Sequence, residues 1–274
     1  MGKYFKAAAA ATLALLIALL LLGSWLLFSP DRLRSGIASM LSGKGVSEVA
    51  ISSCRPAFPL GMRMSGVAVR FRKGASLEAG ELVVRFRFAS LLGGRLSLDF
   101  DAGAYGGRIN GKLEFLRAFS ASGPFRLALD FAGIRVSECK FLDSPAGLLK
   151  GGIARGSLDY RAAAGRNSQG EGALRIAVRE ADFKSGIPAL AGGFNSAEAE
   201  ASWQGNAMQI RKFHLSGRDV QGSFRGRVFL HDDFSRSRLS MKGDFAPAGN
   251  PRQAFSVVVT GTVAEPAANL IQGG

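Results

Sequence analysis

The residues of this chain with the types and spacing to do chemistry are few. His231, Asp232 and Asp233 stand in a row after an extended run ending at Leu230, and three adjacent nitrogen or oxygen donors can catch a divalent ion. The same three residues equally suit a solvated turn. His214 stands between Phe213 and Leu215, so in an extended segment its ring points away from both, toward solvent. Asp99 and Asp101 share one face of a strand, at a spacing a glycosidase could use only with a partner acid, and no partner is identifiable. Ser42-Gly43-Lys44-Gly45 lacks both the earlier glycine and the closing Ser or Thr of a phosphate loop, and reads as a helix stop. No GxSxG elbow, HExxH pair or double CxxC motif occurs. The expectation is a protein that is not an enzyme, with no catalytic residue, cofactor or metal. Cys54 and Cys139 are the only cysteines; an oxidising compartment would permit a disulfide between them, and spacing leaves that pairing open.

The elements that carry these residues are strands. From Val46 onward the dominant period is two: Val67, Val69 and Phe71 alternate with Ala68, Arg70 and Arg72, and Leu82, Val84, Phe86 and Phe88 alternate with Val83, Arg85 and Arg87. The alternation returns through Leu96–Phe100, Ile109–Phe115, Phe125–Phe131, Leu174–Val178, Ala199–Trp203, Phe224–Leu230 and Phe255–Val259, which predicts ten or more strands. Glycine-rich pairs between them close short hairpins. Gly93-Gly94, Gly106-Gly107, Gly151-Gly152 and Gly192-Gly193 each open a new segment, an irregular grammar of strand starts. The fold class is therefore mainly β, a long, curled antiparallel sheet over 46–274. Its apolar face must be hidden in a sandwich, an open barrel or a trough. Two interruptions, at 137–150 and 187–194, are expected to be crossovers between sheet halves, the first a candidate subdivision.

Ahead of the strands, Ala7 to Phe28 form a stretch without a charge. As a helix it is roughly 33 Å long, enough for a hydrocarbon core of about 30 Å. Lys3 and Lys6 place the tail 1–6 in the cytoplasm, and the absence of a small-x-small tripeptide before Pro30 favours an uncleaved signal anchor over a signal peptide. Leu13, Leu16, Leu20, Trp25 and Phe28 are its membrane residues, and the lipid bilayer is its partner. Residues 29–45 read as a short amphipathic juxtamembrane helix, with Leu33, Ile37, Met40 and Leu41 at helical spacing. The formal charge of +14 is scattered through strands on the far side of a membrane, which argues against nucleic acid and for anionic headgroups or an acidic protein.

Phe58-Pro59-Leu60-Gly61-Met62-Arg63-Met64-Ser65-Gly66-Val67, together with Leu91-Leu92-Gly93-Gly94-Arg95-Leu96-Ser97-Leu98 and Ala104-Tyr105-Gly106-Gly107-Arg108-Ile109-Asn110-Gly111, resembles the type II secretion system protein N family. The layout is also similar to the wider AsmA-like group of envelope proteins, whose closing strands Val259-Thr260-Gly261-Thr262-Val263-Ala264-Glu265-Pro266 resembles. The first resemblance implies an accessory subunit in the bacterial inner membrane, single-pass, with its main domain in the periplasm and other secretion-system subunits as partners. No catalytic residues carry over. The second implies an apolar trough that binds or moves envelope lipid. In either case Phe71, Phe86 and Phe88, with Arg85 and Arg87, are the contact residues expected.

Overall fold

The computed structural model describes residues 46–58, 60–71, 76–117, 123–139, 149–162, 170–183, 193–231, 236–247 and 254–271. The tail 1–6, the span 7–28 with Leu13, Leu16, Leu20, Trp25 and Phe28, and the helix 29–45 lie outside the described residues. Among the described residues no helix is long and apolar enough to cross a membrane.

The period-two patterning folds as a 14-stranded antiparallel meander in which every strand pairs with its neighbours in chain order. The strands are β1 (Val46–Ala57), β2 (Gly61–Phe71), β3 (Ser76–Arg87), β4 (Leu96–Ala104), β5 (Gly107–Phe115), β6 (Phe125–Arg135), β7 (Leu149–Ala162), β8 (Glu171–Phe183), β9 (Gly193–Gln204), β10 (Ala207–Gly217), β11 (Val220–Phe229), β12 (Arg238–Pro247), β13 (Phe255–Thr262) and β14 (Pro266–Ile271). Among the described residues β1 pairs with β2 and β14 with β13, each on one side only, so the sheet stays open. The expected crossovers are not formed. β6 pairs directly with β7 and β8 with β9, which makes both interruptions hairpin connections, and the sheet continues unbroken past 137–150.

Short turns explain the strict order. Tyr105 and Gly106 both take positive φ, 52° and 71°, the two-residue geometry whose twist matches its flanking strands β4 and β5. Where a connection joins neighbours in so few residues, an antiparallel partner is the only one within reach. Phe88, read from the sequence as a strand residue, instead opens a 3-10 turn, Phe88–Gly93, whose Ser90 hydroxyl caps the carbonyl of Arg87 at 2.6 Å.

One face of the sheet is a continuous apolar lattice. Cross-strand partners carry it without a break: Phe86, Leu98, Leu113, Leu127 and Tyr160 stand in one row, and Phe131, Gly156, Ile176, Ala199, Phe213 and Phe224 in another. Aromatic rings fill the gaps that glycines leave beside them. A Cβ on Gly111 would fall 2.2 Å from the ring of Phe100, and one on Gly172 would fall 2.3 Å from that of Trp203. The large ring and the absent side chain are complementary halves of one packing unit.

Burial grades along the strands. Toward the ends where β6 meets β7 and β8 meets β9, Ile134, Val178, Ala181, Phe194, Leu215 and Phe245 join a buried core that also takes in Phe224 and Val257. A smaller cluster on β1 and β2 holds Val49, Ile51 and Met64. Toward the opposite ends, Leu98, Phe115, Phe125, Leu127, Tyr160 and Trp203 are only half-buried.

Candidate functional site

The half-buried end of the apolar face carries an aromatic ribbon. Phe115 and Phe125 lie 6.2 Å apart between ring centroids, Phe125 and Tyr160 5.7 Å, and Tyr160 and Trp203 6.0 Å, the last pair stacked. Strand alternation puts each ring on this face, and the cross-strand register sets them side by side. Offset and tilted rings at these separations attract one another beyond the area they bury. Phe86 belongs to the adjoining row, beside Leu98. A second ribbon, Phe213, Phe224, Phe245 and Phe255, with centroids 5.9, 4.9 and 5.6 Å apart, lies in the buried core.

The opposite face is charged, and several of its cations are paired with acids. Arg87 donates from Nε to Asp99 Oδ2 at 2.5 Å, Arg108 to Asp101 at 3.1 Å, Arg126 to Asp159 at 2.5 Å, and Arg63 stands 3.1 Å from Glu81. Lys112 pairs with Glu114. The hydrogen bond from Lys112 holds the Glu114 carboxyl below the usual range, with Arg126 and Arg95 adding to the effect against a smaller desolvation penalty. The same logic raises Arg87 and Arg126, through the bond to Asp99 in the one case and to Asp159 in the other. Asp99 and Asp101 are thus each engaged by an arginine. On this face, over β7 to β10, lies an open hollow of about 790 Å³, lined among others by Asp159, Arg161, Glu171, Ser202, Gln209 and Arg211. Arg161 there already faces Glu171 at 3.6 Å.

Of the contact residues expected from sequence, Arg85 is exposed on the charged face opposite Asp99, and Arg87 is tied to that same aspartate. Phe71 ends β2 and Phe88 begins the 3-10 turn; the side chains of both lie outside the described set. Cys54 and Cys139 are both free thiols: Cys54 sits on β1 opposite Met64, where burial pushes its thiol up, and Cys139 follows the 3-10 turn Val136–Glu138 after β6. His214 lies on β10 opposite Ser223 and Glu198. Asp232 and Asp233, beside His231, are outside the described residues, and among those described no three His, Cys, Asp or Glu side chains gather where a metal could be held.

Sequence alternation located the apolar face but not its unequal depth. The half-buried ribbon was missed because Phe115, Phe125, Tyr160 and Trp203 come from four separate strands, and it is the cross-strand register that sets them side by side. The one signal in the chain was the set of glycines, such as Gly111 and Gly172, placed opposite large rings. These features define a mainly β protein built on one open antiparallel sheet with an apolar and a charged face. No protein-family model, curated protein or solved structure matches the chain.

Proposed function

We propose that this chain is a non-enzymatic, inner-membrane-anchored accessory component of a type II protein secretion system, working through protein contacts in the periplasm. The observation that carries the reading is the open sheet. β1 and β14 stand at the two ends of the strand order with no further strand beside either among the described residues, and a terminal strand of this kind accepts a partner's strand by adding one more ladder. Pro56 on β1 and Pro266 on β14 interrupt the two edges, which discourages indiscriminate pairing of copies with each other. A machine that must recruit this subunit without aggregating it needs that balance.

The experiment is deletion of the gene, complementation with the intact chain, and measurement of how much of a normally exported enzyme reaches the medium, with outer-membrane leakage assayed in the same cultures. Enzyme stranded in the periplasm behind an intact barrier is the expected result. Normal export would sink the proposal.

A second reading is favoured by the half-buried aromatic ribbon and the row beside it. An apolar strip with charges confined to the other face can hold acyl chains, so the sheet would act as an AsmA-like trough for envelope lipid. Normal export with a leaky envelope, and acyl chains retained by the purified chain, would select this reading over the first.

A further inference from the structure

The three most exposed large apolar side chains among the described residues lie at one end of the sheet. Phe58, in the turn between β1 and β2, is 89% exposed, and Leu92, in the turn between β3 and β4, is 94% exposed. Leu116, at the start of the connection between β5 and β6, is 46% exposed. All three turns join an odd-numbered strand to the next even-numbered one, so the meander brings them to the same end. The backbone holds them in place: the amide of Phe86 donates to the carbonyl of Leu60 at 2.9 Å, and that of Leu116 donates to the carbonyl of Pro124 at 3.0 Å. Two strand spacings separate one turn from the next, about 10 Å, so the three tips span roughly 20 Å.

Their company is basic. Arg55, Arg95 and Arg117 flank these turns, each exposed, and between Ala57 and Gly61, between Phe88 and Arg95, and between Leu116 and Pro124 the sequence has no acid. An apolar tip beside an arginine, repeated at neighbouring turns, matches a phosphate-bearing bilayer surface, where the tip enters the headgroup boundary and the guanidinium meets a phosphate. Nothing in the packing requires these side chains to be apolar, because at 89% and 94% exposure Phe58 and Leu92 contribute little to any core. We propose that this end of the sheet, through Phe58, Leu92 and Leu116 with Arg55, Arg95 and Arg117, docks on an anionic lipid leaflet. The half-buried aromatic ribbon ends on the same side, since Phe115 and Phe125 adjoin the third turn. The contact stands whether the chain serves secretion or lipid handling.

The test uses the full chain in nanodiscs with a Leu92→Trp substitution, the emission of the unsubstituted chain being subtracted. Disc lipid and added vesicles are made of brominated phosphatidylcholine, alone or with phosphatidylglycerol, so the new indole meets a quencher in whichever bilayer it reaches. The expected result is a blue-shifted, quenched signal when phosphatidylglycerol is present. In molar salt, where screening extends only about 3 Å, the quenching should fall severalfold. Replacing Arg95 and Arg117 by glutamine should weaken it by about fivefold for each cation removed. As a control for folding, an Ile153→Trp chain, reporting from an exposed position on the other side of the sheet's length, should stay unquenched. Emission unchanged by brominated lipid of either kind would overturn the proposal, as would equal quenching by neutral lipid, or quenching of both indoles alike.

Discussion

The ring of Phe245 covers Gly222, its cross-strand partner on β11, so closely that a Cβ on that glycine would fall 2.2 Å from Cδ1. Two residues along, the arrangement is reversed: Phe224 on β11 covers Gly243 on β12, where a Cβ would fall 2.3 Å from the ring. The two rings meet edge to face at 4.9 Å. Each strand therefore supplies one ring and one vacancy, and the pair fixes the register of β11 on β12 through side chains as well as through the ladder.

Gly222→Ala should destabilise the chain by about 1–3 kcal/mol, the usual cost of forcing a methyl into a filled core. Urea unfolding would measure it. Combining it with Phe245→Leu should cost less than the sum of the two single changes, because the smaller side chain makes room for the methyl. Strict additivity would show that ring and glycine do not act as a unit.

Truncation should separate the two ends of the apolar face. Leu215→Ala, in the buried core, should cost about 2–5 kcal/mol with its cavity, whereas Leu127→Ala, in the half-buried row, should cost clearly less. Midpoints of urea denaturation for the two variants, with unchanged slopes, give the comparison directly.

Trp203 reports on occupancy of the half-buried end. It stacks on Tyr160 and borders the ribbon, so an acyl chain laid there should shift its emission to the blue and slow its quenching by iodide. A Trp25→Phe background isolates the signal. Emission that does not respond to a saturating fatty acid would count against the lipid reading.

Acid should weaken the charged face in a defined direction. Glu114 has its carboxyl held below the usual range by Lys112. Its folded state therefore binds a proton less readily than its unfolded state. The stabilisation it gives is present above the unfolded carboxyl range and is lost as pH falls through the lower, folded value. Glu114→Gln should flatten the fall of the melting temperature between neutral and strongly acid pH, and an unchanged slope would remove Lys112 as its cause.

Much of the sheet could be read from alternation because a one-sided apolar face imposes its period on every strand. Leu98, Leu113, Leu127 and Ile176 all fall on the face the pattern assigned them. What alternation could not carry were changes of parity within a strand. On β2, Val67 and Val69 share the inner face with Met64 and Met62, and on β3, Leu77 and Ala79 share it with Leu82 and Val84. The switch falls at Gly66, with a φ of +57°, and at Gly80 beside it. Further along, Glu180 at a φ of +53° marks a similar step between Val178 and Ala181. A period-two count treats each of these as the end of one strand, whereas the backbone continues. Val83 escaped for a different reason: it lies on the charged face between Arg63 and Asp101, yet is buried, because long charged side chains shelter an apolar neighbour with their stems. β14 was invisible as a strand since the sequence after Gly261 reads as an ending. There the Thr262 hydroxyl accepts the amide of Glu265 at 3.1 Å and turns the chain back on itself.

Because each strand finds its partner in the strand just made, no step of assembly waits for a distant piece of chain. Loop-closure entropy is small at each addition, and the sheet can lengthen by one hairpin at a time. A polypeptide made N-terminus first can thus organise strand by strand, with the growing edge always the most recent strand. Among the described residues β14 is the last strand of that order.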